Sequence, residues 1–226
     1  MGAKALATAV IAAAGSGERL GAGGPKALVE VAGKPLLAWS VDSVKRAEAI
    51  DLVVIAAPAG HEEEIGAMIQ SASVVAGGAS RSESVAIALK HVESELVVVH
   101  DAARPLATPG LFDAVVSELR SDRGCDGVIA ASPVPDTLKR ALAGRVIETV
   151  LRSELWAVQT PQAFRTPALK EALEADPETL AKATDDASLI EAAGGVVRVF
   201  QWDEPNLKVT TGADLAIAEA LLRNRP

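Results

Sequence analysis

The chain has 226 residues, 49 % of them apolar, which is enough for a large core and favours one domain over residues 1–226. A formal net charge of −8, a pI near 5.0, 3 % aromatics and no Tyr exclude a nucleic-acid surface built on basic patches or stacked rings. The single cysteine, Cys125, excludes an intrachain disulfide, and no apolar stretch reaches the ~20 residues of a membrane helix.

The first predicted element is a buried strand over 5–13. Lys4 and the apolar run after it imitate a short signal peptide, but only one basic residue precedes the run, and cleavage after Ala14 would delete the strand. Further short apolar runs follow at 52–57, 74–76, 96–99, 127–131 and 196–200. They are continuous rather than alternating, as strands covered on both faces should be. Helical stretches lie between them, near 35–47, 61–70, 81–92, 109–120, 167–175, 185–193 and 212–223. Thr108-Pro109 supplies a cap followed by a first-turn proline, Thr184-Asp185-Asp186 opens a helix, and Gly194-Gly195 closes it. The alternation predicts an α/β fold: a Rossmann-like, open, mostly parallel twisted sheet with helices on both faces and ligands at the carboxyl ends of its strands. Cys125 has no Cys or His near it in sequence and reads as a spectator thiol suited to a reducing cytoplasm.

Residues 133–150 break the layered pattern. Ala143-Gly144 reads as a turn between two hairpin flanks, 137–142 and 145–150, and neither flank has apolar residues enough for a core. An isolated two-stranded hairpin is marginal in water. Either the segment packs on another subunit as a protruding dimerisation arm, or it is a loose surface hairpin; its own residues leave both open.

The first strand runs into Gly15-Ser16-Gly17-Glu18-Arg19-Leu20-Gly21. Glycines let backbone N–H groups converge on phosphate oxygens. A dinucleotide-binding dehydrogenase is the obvious competitor, but Pro25 after Gly23-Gly24 would break the helix that such glycines open. The acidic residue that fold needs ~20 positions on would be Asp42, which lies inside a helical stretch. The Gly-Lys-Ser/Thr ending of a P-loop ATPase is also missing. Arg19 and Lys26 flank this one loop, where two cations can offset the charge of a triphosphate. The bland alternative is two solvated surface cations.

Ala13-Ala14-Gly15-Ser16-Gly17-Glu18-Arg19 with Pro25-Lys26 resembles the signature of sugar-nucleotide-type nucleotidyltransferases. Four further matches follow: His100-Asp101-Ala102-Ala103-Arg104-Pro105; Arg152 with Thr160-Pro161-Gln162-Ala163-Phe164; Thr184-Asp185-Asp186-Ala187-Ser188; and Asn206-Leu207-Lys208-Val209-Thr210. In this order, and over nearly the whole chain, the set resembles the 2-C-methyl-D-erythritol 4-phosphate cytidylyltransferase family of the non-mevalonate isoprenoid pathway. The resemblance implies transfer of a cytidylyl group from CTP to methylerythritol phosphate, with release of pyrophosphate. It also implies Mg²⁺ held mainly by the triphosphate with Asp101 near it, and a cytoplasmic homodimer with shared active sites.

By the same resemblance, Arg19 and Lys26 stabilise the transition state, and the backbone at Ala13, Ala14, Gly15 and Gly17 contacts the nucleotide. Gly78 and Ser84 read the cytosine with Arg81 beside them; ordinary helix capping by Ser80 or Ser82 is the structural alternative. The family often has Asp after this glycine pair, where this chain has Ala79. Asp101, with Arg104 across the turn, meets the erythritol hydroxyls or the metal, and Lys208 positions the substrate phosphate. Thr184 contacts a substrate hydroxyl, and Arg152 and Thr160 reach the methylerythritol phosphate from the partner subunit; capping and turn formation compete for both threonines. His100 is assigned no role. The nearest rival is a ribitol 5-phosphate cytidylyltransferase, whose turn after the Asp commonly differs from Ala102-Ala103. A guanylyl- or uridylyltransferase fits Arg81 and Ser84 less well. From another class, a non-catalytic nucleotide sensor would be expected to lack Arg19, Lys26 or Lys208, and all three are present.

Overall fold

The six apolar runs become strands, and a seventh strand joins them that the pattern does not reveal. The structure, a computed structural model, describes residues 6–17, 20–21 and 23–225. In chain order the elements are β1 (Ala7–Ala12), the short pair β2 (Glu30–Val31) and β3 (Lys34–Pro35), α1 (Leu36–Lys45), β4 (Ile50–Ala57), α2 (Glu62–Met68), β5 (Ser73–Ala76), α3 (Arg81–Leu89), β6 (Leu96–Asp101), α4 (Pro109–Ser121) and β7 (Gly127–Pro133). There follow β8 (Leu138–Leu142), β9 (Arg145–Val150), β10 (Trp156–Arg165), α5 (Thr166–Ala172), α6 (Pro177–Lys182), α7 (Asp186–Ala192), β11 (Val197–Gln201) and α8 (Gly212–Arg223).

The main sheet has the order β11-β7-β10-β6-β1-β4-β5. Its neighbours pair in parallel except at β10, which runs antiparallel to both β6 and β7. Both faces are covered. Leu37, Val41 and Val44 of α1, Ile65 of α2 and Phe112, Val115 and Leu119 of α4 pack against Ala9, Ile11 and Ile55 on one side. Val85 and Leu89 of α3, Leu169 of α5 and Ile190 of α7 pack against Val10, Val54 and Val99 on the other. Each such fully buried side chain contributes roughly 1.5–3 kcal/mol. After β1 the chain adds β4 and β5 on one side and then crosses to place β6 on the other, so the strand order reverses at the carboxyl ends of β1 and β6. That is where open α/β sheets bind ligands.

The predicted caps form. Thr108 Oγ1 accepts from the Leu111 N–H and Asp185 from the Ser188 N–H, and Gly194 follows α7 with φ +83°. β10 is the unforeseen strand. Its Gln159-Thr160-Pro161-Gln162 centre is polar and interrupted by proline, which argues against a central strand. The pairing with β7 skips between Val158 and Gln162, so Pro161 owes that neighbour no ladder bond, and Thr160 and Gln162 bond instead to the buried Asp101 N–H and the half-buried Asp185. The 133–150 hairpin is present as a separate two-stranded sheet, β8–β9, whose residues are exposed except for a half-buried Val150. Ala143 (φ +47°) and Gly144 (φ +76°) form its turn, the conformation whose twist suits a two-residue hairpin loop. No described helix is long and apolar enough to cross a membrane.

Candidate active site

A cleft of about 630 Å³ opens at the ends of β1 and β6, a size typical of small-molecule sites. One wall is backbone. Ala13, Ala14, Gly15, Ser16 and Gly17 leave β1 and meet Lys26, whose N–H donates to the Gly15 carbonyl at 3.2 Å. Gly17 has φ +76°, and a Cβ there would sit 3.0–3.1 Å from the Lys26 backbone and Cβ, so the loop closes on itself only with glycine. Lys26 opens a short 3-10 turn, Lys26–Leu28, and lines the cleft. Arg19 lies outside the described residues.

The second glycine turn faces the first. A Cβ on Gly77 would fall 2.5 Å from Ala14 Cβ and 3.0 Å from the Ala57 carbonyl oxygen, so the two loops touch because Gly77 has no side chain. The turn is braced by α3. Ser84 Oγ accepts from the Gly78 N–H at 3.0 Å and donates to the Ser80 carbonyl at 2.8 Å. Its proton is thus engaged, which leaves the hydroxyl acceptor capacity alone. Glu83 Oε2 accepts from the Ala79 N–H at 2.7 Å, and Ser80 caps α3 through the Glu83 N–H.

The other wall is charged. Arg81 donates from Nε to Asp101 Oδ1 at 2.9 Å and from Nη1 to Asp186 Oδ2 at 2.7 Å; Lys208 Nζ meets Asp101 Oδ2 at 2.7 Å. Burial alone would raise the Asp101 pKa, but Arg81 and Lys208 outweigh it and hold the carboxyl well below its usual range. Burial works against the charge of Arg81, yet Asp186 and Asp101 keep the guanidinium protonated. Behind this row, Thr160 Oγ1 accepts the Asp101 N–H at 3.0 Å and lies 3.1 Å from His100 Nδ1. His100 is fully buried, edge-on to Phe112, and burial pushes its pKa down to about 4.

The structure thus brings together Ala13, Ala14, Gly15, Gly17, Lys26, Gly78, Arg81, Ser84, Asp101 and Lys208 around one cleft. It does not bring Arg104, Arg152, Thr160 or Thr184 to it. Arg104 is buried, donating from Nη1 to the Asn206 carbonyl at 2.7 Å and from Nη2 toward the Val158 carbonyl at 3.4 Å. It clamps the segment carrying Lys208 rather than facing solvent. Thr160 is 4 % exposed, and its hydroxyl is tied to Asp101 of its own chain, so within this chain it props up the site. Thr184 is exposed just ahead of the α7 cap. Arg152 is exposed, and its Nη1 donates to the Pro135 carbonyl at the base of the hairpin. Ser16, Thr210 and Asp186 are members or supports of the site that the sequence reading passed over. For Asp186 a signal existed: Leu189 and Ile190 follow it at i+3 and i+4, so it sits on the apolar face of its helix, where a charge needs a partner.

Among the described residues no group of three or more His, Cys, Asp or Glu side chains is placed to hold a metal ion. Asp101 is the carboxylate that lines the cleft. That donor set suits an Mg²⁺ ion carried mostly by substrate phosphates, which commonly needs only one or two protein carboxylates.

Comparison with known proteins agrees along the whole chain. The family model described as IspD, 2-C-methyl-D-erythritol 4-phosphate cytidylyltransferase, matches residues 7–224. The protein of that name from Synechococcus elongatus is 41 % identical over 225 residues, covering 96 % of each chain. The one from Frankia casuarinae is 43 % identical over 218 residues, covering 95 % of this chain and 80 % of that one. Among solved structures, the 4-diphosphocytidyl-2C-methyl-D-erythritol synthase from Anaerococcus prevotii superposes with a TM-score of 0.83 at 31 % identity, covering 98 % of this chain and 100 % of that one.

Proposed function

The chain belongs to the 2-C-methyl-D-erythritol 4-phosphate cytidylyltransferase family, and from that premise we infer that its backbone wall holds CTP while its charged wall holds the second substrate. The enzyme transfers a cytidylyl group from CTP to 2-C-methyl-D-erythritol 4-phosphate, giving 4-diphosphocytidyl-2-C-methyl-D-erythritol and pyrophosphate. One observation supports anionic substrates in this cleft. The described lining has three cations, Lys26, Arg81 and Lys208, against the one carboxylate of Asp101, in a chain of net charge −8. Such local inversion of charge concentrates anions.

A phosphate oxygen of methylerythritol phosphate attacks the α-phosphorus; the bond to the β-phosphate breaks, and pyrophosphate carries off the electron pair. No protein nucleophile is required, so positioning and charge stabilisation do the chemistry. The N–H groups of Ala13 to Gly17 and the cations Lys26 and Arg19 receive the triphosphate. Gly78 and Ser84 meet the cytosine. Lys208 turns from Asp101 to the incoming phosphate, which leaves an Asp101 oxygen for the erythritol hydroxyls. The triphosphate itself would hold most of an Mg²⁺ ion, with Asp101 the carboxylate within the cleft that could lie near it, and the ion would supply counter-charge to the phosphates. A cytoplasmic location fits a lone buried thiol, Cys125.

The active form is a homodimer built on the β8–β9 arm within a single domain of residues 1–226. Leu138, Leu142, Val146 and Ile147 on the arm, with Leu151, Trp156 and Val158 at its base, are exposed. Their burial against a second copy would also pair the open strand edges. Arg152, too remote to line its own cleft, would then reach the partner's substrate phosphate. Pyrophosphate release should appear with CTP and methylerythritol phosphate; preference for UTP, GTP, ATP or ribitol 5-phosphate would overturn the reading. Lys26→Ala and Arg152→Ala chains refolded together should regain activity, because one site of each mixed dimer carries both lesions and the other neither. If mixing restores nothing, Arg152 acts within its own chain.

A further inference from the structure

Asp186 does not line the cleft, is fully buried, and stands at the end of a row of alternating charges: Asp186, Arg81, Asp101, Lys208. The row runs from the interior outwards, the side chain of Asp186 being 0 % exposed and that of Lys208 40 %. It joins α7, α3, the end of β6 and the segment before α8. Two features argue against a role in stability alone. A buried ion pair is often no more stabilising than an apolar pair of the same volume. The pair is also incompletely satisfied: Arg81 Nη2 and Asp186 Oδ1 are buried without hydrogen-bond partners.

We propose that Asp186 is a positioning residue of the transfer reaction. By holding Nη1 it fixes the Arg81 guanidinium, so that Nε meets one oxygen of Asp101 and leaves the other to Lys208. With Asp186 present, the row has one carboxylate per cation. Without its charge, Arg81 and Lys208 share Asp101 alone, and the cleft gains one positive charge. An anionic substrate would still bind, but the carboxylate and ammonium that orient the second substrate would drift. The inference rests on the cytidylyltransferase reading, which wild-type activity tests independently.

The test is steady-state kinetics with CTP and methylerythritol phosphate on full-length D186N, R81Q and the R81Q/D186N double. D186N should lower kcat by on the order of 10- to 100-fold, the scale of a misplaced reacting group, with both KM values within about threefold of wild type. In the R81Q background, D186N should cost nothing further, and the double should melt no lower than R81Q because Gln and Asn can pair without charge. A D186N enzyme with wild-type kcat and only a lowered melting temperature overturns the proposal, as do losses that multiply in the double. If D186N does not fold, R81Q against the double decides: equal kcat supports the proposal, and a lower kcat in the double refutes it.

Discussion

The two walls of the cleft are made of different material. The wall of residues 13–17 and 77–79 presents main-chain groups, and its shape depends on side chains that are absent: Gly17 lets Lys26 close the loop, and Gly77 lets the two loops touch. The wall of Arg81, Asp101 and Lys208 presents full charges, and its shape depends on each charge having its counter-charge. The first wall should therefore fail when atoms are added and the second when charge is removed. Lys26 belongs to both, a cation carried by the backbone loop.

Lys26→Ala should have the largest effect, lowering kcat by on the order of 10²–10³-fold, the scale of losing one preorganised charge stabiliser. Arg19→Ala should match it. The Lys26→Ala melting temperature should stay near wild type, since that side chain is only half-buried. Near-normal turnover in either variant would reduce the loop to a binding element. Gly77→Ala comes next. The added methyl meets Ala14 and a β4 carbonyl rather than a flexible side-chain end, so it should cost about 1–3 kcal/mol in urea unfolding. It should also raise the KM for CTP more than that for methylerythritol phosphate; an unchanged CTP KM would show that the loops need not touch.

A further effect is in pH. His100 behind the charged wall is held neutral, its pKa lowered from 6.5 to about 4, with Asp101, Arg104 and Arg81 as its charged neighbours. The unfolded chain then binds more protons between those values, so stability is lost as pH falls from 6.5 towards 4, by roughly 3 kcal/mol at most. Asp101, with its depressed pKa, adds a loss that sets in at still lower pH. Urea midpoints at pH 6.5 and 4.5 should differ less in His100→Gln, which can still bond Thr160. An equal drop in both proteins would place the sensitivity elsewhere.

The backbone wall was largely legible in the sequence because glycine and proline are local signals. Gly15-Ser16-Gly17, with Pro25-Lys26 beyond it, predicts an extended loop after an apolar strand, and its described residues 13–17 leave β1 as a loop that lines the cleft. The charged wall was legible only in pieces. Arg81, Asp101 and Lys208 are far apart in the chain, and nothing local says that two of them share a carboxylate. The family resemblance implies substrate contacts for Thr160 and Arg104, and nothing local in the sequence shows that both side chains are buried. Burial consumes both, one on the Asp101 N–H and the other on main-chain carbonyls. The strand that buries Thr160 was hidden for the same reason: β10 keeps its polar residues inside by pairing them with side chains from elsewhere, a tertiary effect that hydrophobic periodicity cannot register.

The division of labour between the walls is tested most directly by measuring both KM values in Ser84→Ala and Lys208→Gln. Ser84→Ala strips the brace of Gly78, and Lys208→Gln removes the outermost charge of the row. Ser84→Ala should raise the KM for CTP by about tenfold and leave that for methylerythritol phosphate within about threefold; Lys208→Gln should do the reverse, each loss being that of one well-placed polar contact. If both variants raise the KM of the same substrate, or the pattern is inverted, the two walls do not serve two substrates and the account is wrong.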